Sequence, residues 1–202
     1  MIAEAFEFLR NRLNKAIVQG LSDEAVADQF VYVNTQKEGS VNFDADTVSM
    51  MLVGVQEERT MRPADPFIRK TAEGDHLKVS PEIHLNLLVL FVARFPNDYT
   101  QALRRLSAVI DYFQSHRVFN SDNSPDLDAN LAKLVMELST ISFTEQKDIW
   151  TLLHSAYQPS VLYKMKLIVF RDEAGEQLPP LTTIEQTIAQ RNHTGNNHAN
   201  NN

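Results

Sequence analysis

The sequence contains no cysteine. That excludes a disulfide framework, a thiolate metal site and a cysteine nucleophile. Glycine is scarce, with six in 202 residues. No glycine-rich phosphate loop follows any segment that reads as a strand, and no nucleophile-elbow pattern occurs. Basic residues are outnumbered, 19 Lys and Arg against 26 Asp and Glu, for a net charge of -7. A general nucleic-acid binder needs a basic face, which this balance argues against, although a local basic patch stays open. Long apolar runs are missing too. The longest, residues 87–93, falls far short of the roughly 20 residues that span a bilayer. The N-terminus, MIAEAFEFLRNRLNKAIV, carries a charge every few positions. It therefore lacks the uninterrupted apolar stretch of a signal peptide. These absences predict a soluble protein made in the cytoplasm, with no nucleic-acid or membrane partner.

What is present is material for a core. The chain is 43% hydrophobic and 22% charged, which suits one domain with a tail. Residues 81–95, PEIHLNLLVLFVARF, form the most apolar segment and read as a central strand. Ile83, Leu85, Leu87, Val89, Phe91, Ala93 and Phe95 alternate on one face, all apolar. The other face, His84, Asn86, Leu88, Leu90, Val92 and Arg94, is apolar only in its middle. That pattern predicts a strand buried at its centre and half-exposed at its ends. β-branched and aromatic content, with proline at both borders, favours strand over helix.

Around it the chain predicts an α+β fold: a mixed, mainly antiparallel sheet of long strands flanked by about three helices. Residues 1–19 have a helical stripe of Ile2, Phe6, Leu9, Leu13, Ala16 and Ile17, ending at Gly20. Residues 27–34 read as a strand, 35–44 as a polar loop and 46–60 as a second long strand. In that strand Met51, Val53 and Val55 are expected on one face and Met50, Leu52 and Gly54 on the other. It should pair with the central strand through a long connection, since sequential strands usually neighbour each other. A helix should follow Asn97 or Asp98 as N-cap. Its expected buried stripe is Tyr99, Leu103, Leu106, Ile110 and Phe113, with Ala102 and Val109 beside it and Arg104 and Arg105 outward. Val118 and Phe119 read as a short extended piece. Residues 130–140 fit either a helix or a strand; the extended continuation at 139–142 favours the strand. Ser142 with Glu145, or Thr144 alone, should cap a helix carrying Trp150. Residues 160–171 alternate clearly as a strand. The domain should end near residue 180, and residues 181–202, ending NHTGNNHANNN, predict a disordered polar tail.

No constellation points to catalysis, a cofactor or a metal. The six histidines share no metal spacing on one element, and His84 reads as a structural histidine. Asp122, Asp126 and Asp128 lack the turn glycine and terminal glutamate of a calcium loop, so an Asx-rich turn is expected. The densest two-sign charge cluster is Glu57, Glu58, Arg59, Arg62, Arg69 and Lys70. It reads either as a solvated strand end and loop, or as a salt-bridge strip facing another subunit or a sheath. Single surface pairs add little, but an array can fix register between partners.

In combination, several segments resemble one family. They are VSMMLVGVQEERTMR followed by a Pro-containing basic loop, PEIHLNLLVLFVARFPNDYTQALRRLSAVIDYFQ, NSPDL, LVMELSTISFTEQKDIW and YQPSVLYKMKLIVF. The family is that of the tail-terminator, or cap, proteins of extracellular contractile injection systems, phage-tail-like particles of the antifeeding-prophage type. The resemblance covers residues 1–180; the loop at 35–44 and the tail depart from it. Other members can carry extra C-terminal sequence. None is expected here, so no role tied to one is carried over. The resemblance implies a non-enzymatic subunit of a homo-hexameric ring at the end distal to the baseplate. There it closes the inner tube, anchors the last sheath ring and stops polymerisation, with tube and sheath proteins as partners. A baseplate, connector or cargo-adaptor component of such a particle is the alternative.

Overall fold

The structure is a computed structural model that describes residues 1–18, 30–32, 34–35, 41–58, 68–70, 76–78, 83–169 and 176–177. The elements run α1 (Ile2–Leu13), a π-helical turn (Asn14–Val18), β1 (Phe30–Tyr32), β2 (Asn34–Thr35), β3 (Val41–Asn42) and β4 (Thr47–Glu57). Then come β5 (Ile68–Lys70), β6 (His76–Lys78), β7 (Ile83–Arg94), α2 (Tyr99–Ser115), β8 (Val118–Asn120) and β9 (Leu131–Leu138). α3 (Phe143–Leu152), β10 (Ser160–Val169) and β11 (Glu176–Gln177) complete the order. The expected tail, residues 181–202, lies outside the described residues.

The main sheet has the order β1-β4-β7-β10-β9-β8. Its pairs are antiparallel except for β1, which lies parallel to β4. The fold is thus α+β with a mixed, mainly antiparallel sheet, as the alternating patterns predicted. β7 lies inside the sheet, between β4 and β10, in keeping with its apolar sequence. Two smaller sheets join β11, β6 and β5, and β2 with β3.

The sheet buries residues on both faces, and β7 supplies both. Leu87, Val89, Phe91 and Ala93 belong to a large core with α1, α2, β9 and β10. Leu90 and Val92 turn the other way, into a smaller core with Phe43, Trp150, Leu153 and Leu162. Helices α1 and α2 therefore cover one face, and α3 covers one end of the other. The second core corrects the polar reading of residues 35–44. Phe43 is 2% exposed, and its ring lies 5.8 Å from that of Trp150. Arg94 Nη1 donates to the Phe43 carbonyl oxygen at 2.8 Å, tying this piece to the end of β7. Val41 and Phe43 alternate, but two apolar residues are too short a run to outweigh polar neighbours.

The stripe expected on α2 is rotated. The buried residues are Ala102, Arg105, Leu106, Val109 and Phe113. Arg105 is one helical turn from both Ala102 and Val109, so it falls inside the stripe, not outward, and is only 6% exposed. Tyr99 and Leu103, expected inside, are 64% and 45% exposed. α1 gains Phe8, whose ring packs edge-on against Phe119 at 5.3 Å.

β4 departs from simple alternation as well. Leu52 faces Val89, but Gly54 faces Leu88, so Val53 is the extra residue of a bulge. Beyond the bulge the parity changes, and Val55 pairs with Leu87 instead of sharing the face of Met51. Gly54 suits this close approach: a Cβ there would meet Leu88 Cδ1 at 3.3 Å. Residues 131–138 form a strand, as the extended continuation suggested, with Leu134 and Met136 buried and Leu138 about half-exposed. The aspartate loop is an Asx-rich turn. Asn120 and Asn123 exchange N–H to Oδ1 bonds at 3.0 and 3.1 Å, and the Asn130 N–H donates to Asp128 Oδ1 at 2.9 Å.

Candidate assembly surface

The charge cluster singled out in the sequence begins where β4 ends. Glu57 closes the strand opposite Leu85 and is exposed. Glu58 continues the pairing for one more residue, its N–H donating to the His84 carbonyl at 2.9 Å. Its side chain lies back along the sheet. Asn86 Nδ2 donates to Glu58 Oε2 at 2.8 Å. Asn86 is nine-tenths buried, and its Oδ1 has no hydrogen-bond partner among the described residues. The amide's anchorage to the strand end therefore rests on Glu58. Arg59 and Arg62 lie outside the described residues. Arg69 is placed by its backbone alone, opposite Leu77 in the small β5-β6 sheet.

The register carries this polar strand end across the sheet. Asn86 faces Lys166, which in turn faces Val135. Lys166 Nζ reaches diagonally to Glu137 Oε1 at 2.9 Å, and Arg117 Nη2 lies 3.4 Å from the same oxygen. The Lys166 hydrogen bond, with the charges of Lys166, Arg117 and Lys164, holds the Glu137 carboxyl below its ordinary pKa. Glu58, Asn86, Lys166 and Glu137 thus share the sheet face that α3 leaves uncovered. The charge density of the sequence points to Glu57 and Glu58 but not to Asn86, Lys166 or Glu137. The signal was available: Lys164, Lys166 and Glu137 all sit at alternate positions opposite core residues. Pairs exposed to this degree add little stability, and their value lies in setting which surface meets which.

The second feature lies on α3. Ser142 caps the helix: Glu145 N–H donates to Ser142 Oγ at 3.3 Å, and Ser142 N–H donates to Glu145 Oε2 at 2.8 Å. The backbone and hydroxyl bonds from Ser142 lower the Glu145 pKa. This reciprocal box fixes where α3 starts and so where Phe143 projects. Phe143 is 90% exposed and Tyr157 60% exposed. Together with Lys147 and the edge of Trp150 they line an open groove of about 390 Å³. Trp150 forms its floor, edge-on to Tyr157 at 5.5 Å and backed by Phe43.

Among the described residues no group of three His, Asp or Glu is placed to hold a metal ion. No helix among them is long and apolar enough to cross a membrane. What the surface offers is a charged sheet face and an aromatic groove, the features of a protein that makes contacts.

A mixed, mainly antiparallel sheet with helices on both faces defines the structural class. Within it, residues 5–184 match the Pvc16 N-terminal domain, and the chain belongs to that family. The resemblance drawn from the quoted segments is thereby borne out. No curated protein matches the chain. Among solved structures, the fold is similar to a chain described as an extracellular contractile injection system, PVC sheath/tube terminator in extended state. That match has a TM-score of 0.53 and 16% identity, and covers 96% of this chain and 65% of the other. A chain of the anti-feeding prophage cap, the AFP tube terminating cap, matches with a TM-score of 0.48 and 16% identity. It covers 88% of this chain and 60% of that one. The chain spans just under two thirds of the length of the first of these solved chains.

Proposed function

We propose that this chain is a structural terminator of a contractile injection system. It forms a six-fold ring on the distal end of the inner tube and sheath and stops their polymerisation. The observation that carries the reading is the fold shared with the sheath/tube terminator chain over 96% of this chain. Membership of the Pvc16 N-terminal domain family supports it. The chemistry is that of contact and not of turnover, with sheath, tube and further copies of the chain as partners. The subunit is made in the cytoplasm and ends in the assembled particle. Termination follows physically if one axial face of the ring matches tube or sheath while the other offers nothing to add to. The strip of Glu57, Glu58, Arg59, Arg62 and Arg69 is assigned to a contact with a neighbouring subunit or with sheath.

Imaging particles assembled with and without the protein tests the reading. Overlong tubes of heterogeneous length are expected without it. Missing baseplates with normal tube lengths point instead to a baseplate or connector component. Particles that are complete but empty point to a cargo adaptor.

A further inference from the structure

Two exposed apolar patches flank one end of the sheet, on opposite faces. On one face, α2 presents Tyr99 and Leu103, one helical turn apart and 64% and 45% exposed. On the other, α3 and the segment after it present the groove walled by Phe143 and Tyr157 with Trp150 beneath. Both lie at the Arg94 end of β7. α2 follows that end directly, and Trp150 packs with Leu90 and Val92 beside it. The sheet separates them, so one chain cannot bring its own patches together. Opposite charges stand at one point of each rim, with the exposed Arg104 beside Leu103 at the other end of the α2 edge. Lys147 is the charged residue on the groove, and Asp98 stands immediately before Tyr99, fixed as the α2 N-cap by its bond to the Gln101 N–H at 2.9 Å.

We infer that the α3 groove of one copy receives the Tyr99–Leu103 edge of α2 from the next copy, with Asp98 meeting Lys147 at the rim. Two different patches in contact make a head-to-tail interface, which gives a ring where its rotation closes and an open filament where it does not; the proposed ring requires the first. An aromatic floor with aromatic walls is the kind of pocket that concentrates binding energy in an interface. The inference deepens the proposed ring and rests on it for the identity of the occupant.

The absence of cysteine allows a direct test on the full chain. Tyr99→Cys and Phe143→Cys are introduced singly and together, and the purified proteins are treated with a short bismaleimide. The double variant is expected to give a ladder of covalent oligomers on a denaturing gel, and each single variant to stay monomeric. A dimer from Phe143→Cys alone would mean that groove meets groove, and overturns the inference. A double variant that stays monomeric overturns it as well. A second pair keeps the test independent of cross-linking geometry. Leu103→Glu and Phe143→Glu, both at exposed positions, should each abolish self-association in sedimentation while keeping the far-ultraviolet spectrum. Mixed in equal amounts they should recover a dimer, because each retains one intact patch. Self-association unchanged in both, or a wild-type chain that is monomeric at tens of micromolar, sinks the contact. Failure here with overlong particles in the absence of the protein removes this contact and leaves the terminator reading intact. Cross-linked rings with normal particle length in the absence of the protein do the reverse.

Discussion

Leu87 shows what a single position can reveal. It is fully buried and pairs with Met165 on one side and Val55 on the other, inside the core under α1 and α2. Alternation alone placed it there, because every second residue of β7 on its face is apolar. Leu87→Ala removes buried methyl groups from a close-packed site and should cost about 2–5 kcal/mol. Urea unfolding of the two proteins checks this, and a loss under about half a kcal/mol would mean the side chain is not in the core. Arg105 teaches the opposite lesson. Its charge predicts a solvated side chain, but its spacing from Ala102 and Val109 puts it on the buried side. Tyr99 and Leu103 are the complementary case: their apolar type predicts burial, and both are exposed. Position on the helix decided the outcome in each case, and residue type did not.

At the scale of elements, the strands were the most legible part. β7 and β10 have long period-two patterns, and β9 was separable from a helix by its extended continuation. β4 was legible until Gly54. A bulge changes parity without changing composition, so Val55 could not be placed from the sequence. Helix α3 was marked at its start by Ser142 and Glu145, and the bonds between them account for it. Removing the Ser142 hydroxyl leaves the Glu145 N–H without its side-chain acceptor. Ser142→Ala should therefore destabilise by roughly 1 kcal/mol, a fall of about 2–4 °C in Tm for a chain of this size. The same box gives a pH dependence. Glu145 has a lowered pKa, so its contribution is present above the unfolded carboxylate pKa and is lost as pH falls through the folded value. The difference in Tm between wild type and Ser142→Ala should accordingly shrink on acidification through the carboxylate range. Only the hydroxyl's own bond to Glu145 Oε2, at 2.8 Å, is both removed by the substitution and lost on protonation, so a constant difference from neutral to acid pH would mean that this bond contributes nothing. The groove beside α3 has no sequence signal of its own: nothing in the pattern around Phe143 and Tyr157 separates exposed aromatics from buried ones.

At the scale of the whole molecule, the charged strand end is the surface we propose for assembly. The sequence singled out Glu57 and Glu58 by their density of charge, and the structure adds why that end is well defined. Glu58 continues the β7 pairing through His84 and is tied to the buried Asn86 amide, so the carboxylate is presented from a fixed base. The polar face running on through Lys166 and Glu137 could not be read from the sequence, because it is made by register between strands far apart in the chain. Arginine suits the proposed partner contact, since its planar fork binds carboxylates through two parallel bonds. Arg59→Glu with Arg62→Glu would bring four acids together at this end and repel a partner that meets the native strip. Glu57 and Glu58 belong to neither core, and a charge reversal beside them should leave the fold and the circular dichroism spectrum unchanged. Capped particles should become rare and tubes overlong, with the loss eased at high salt, where exposed charges are screened. Particles of normal length carrying the double variant would return the cluster to the role of a solvated strand end.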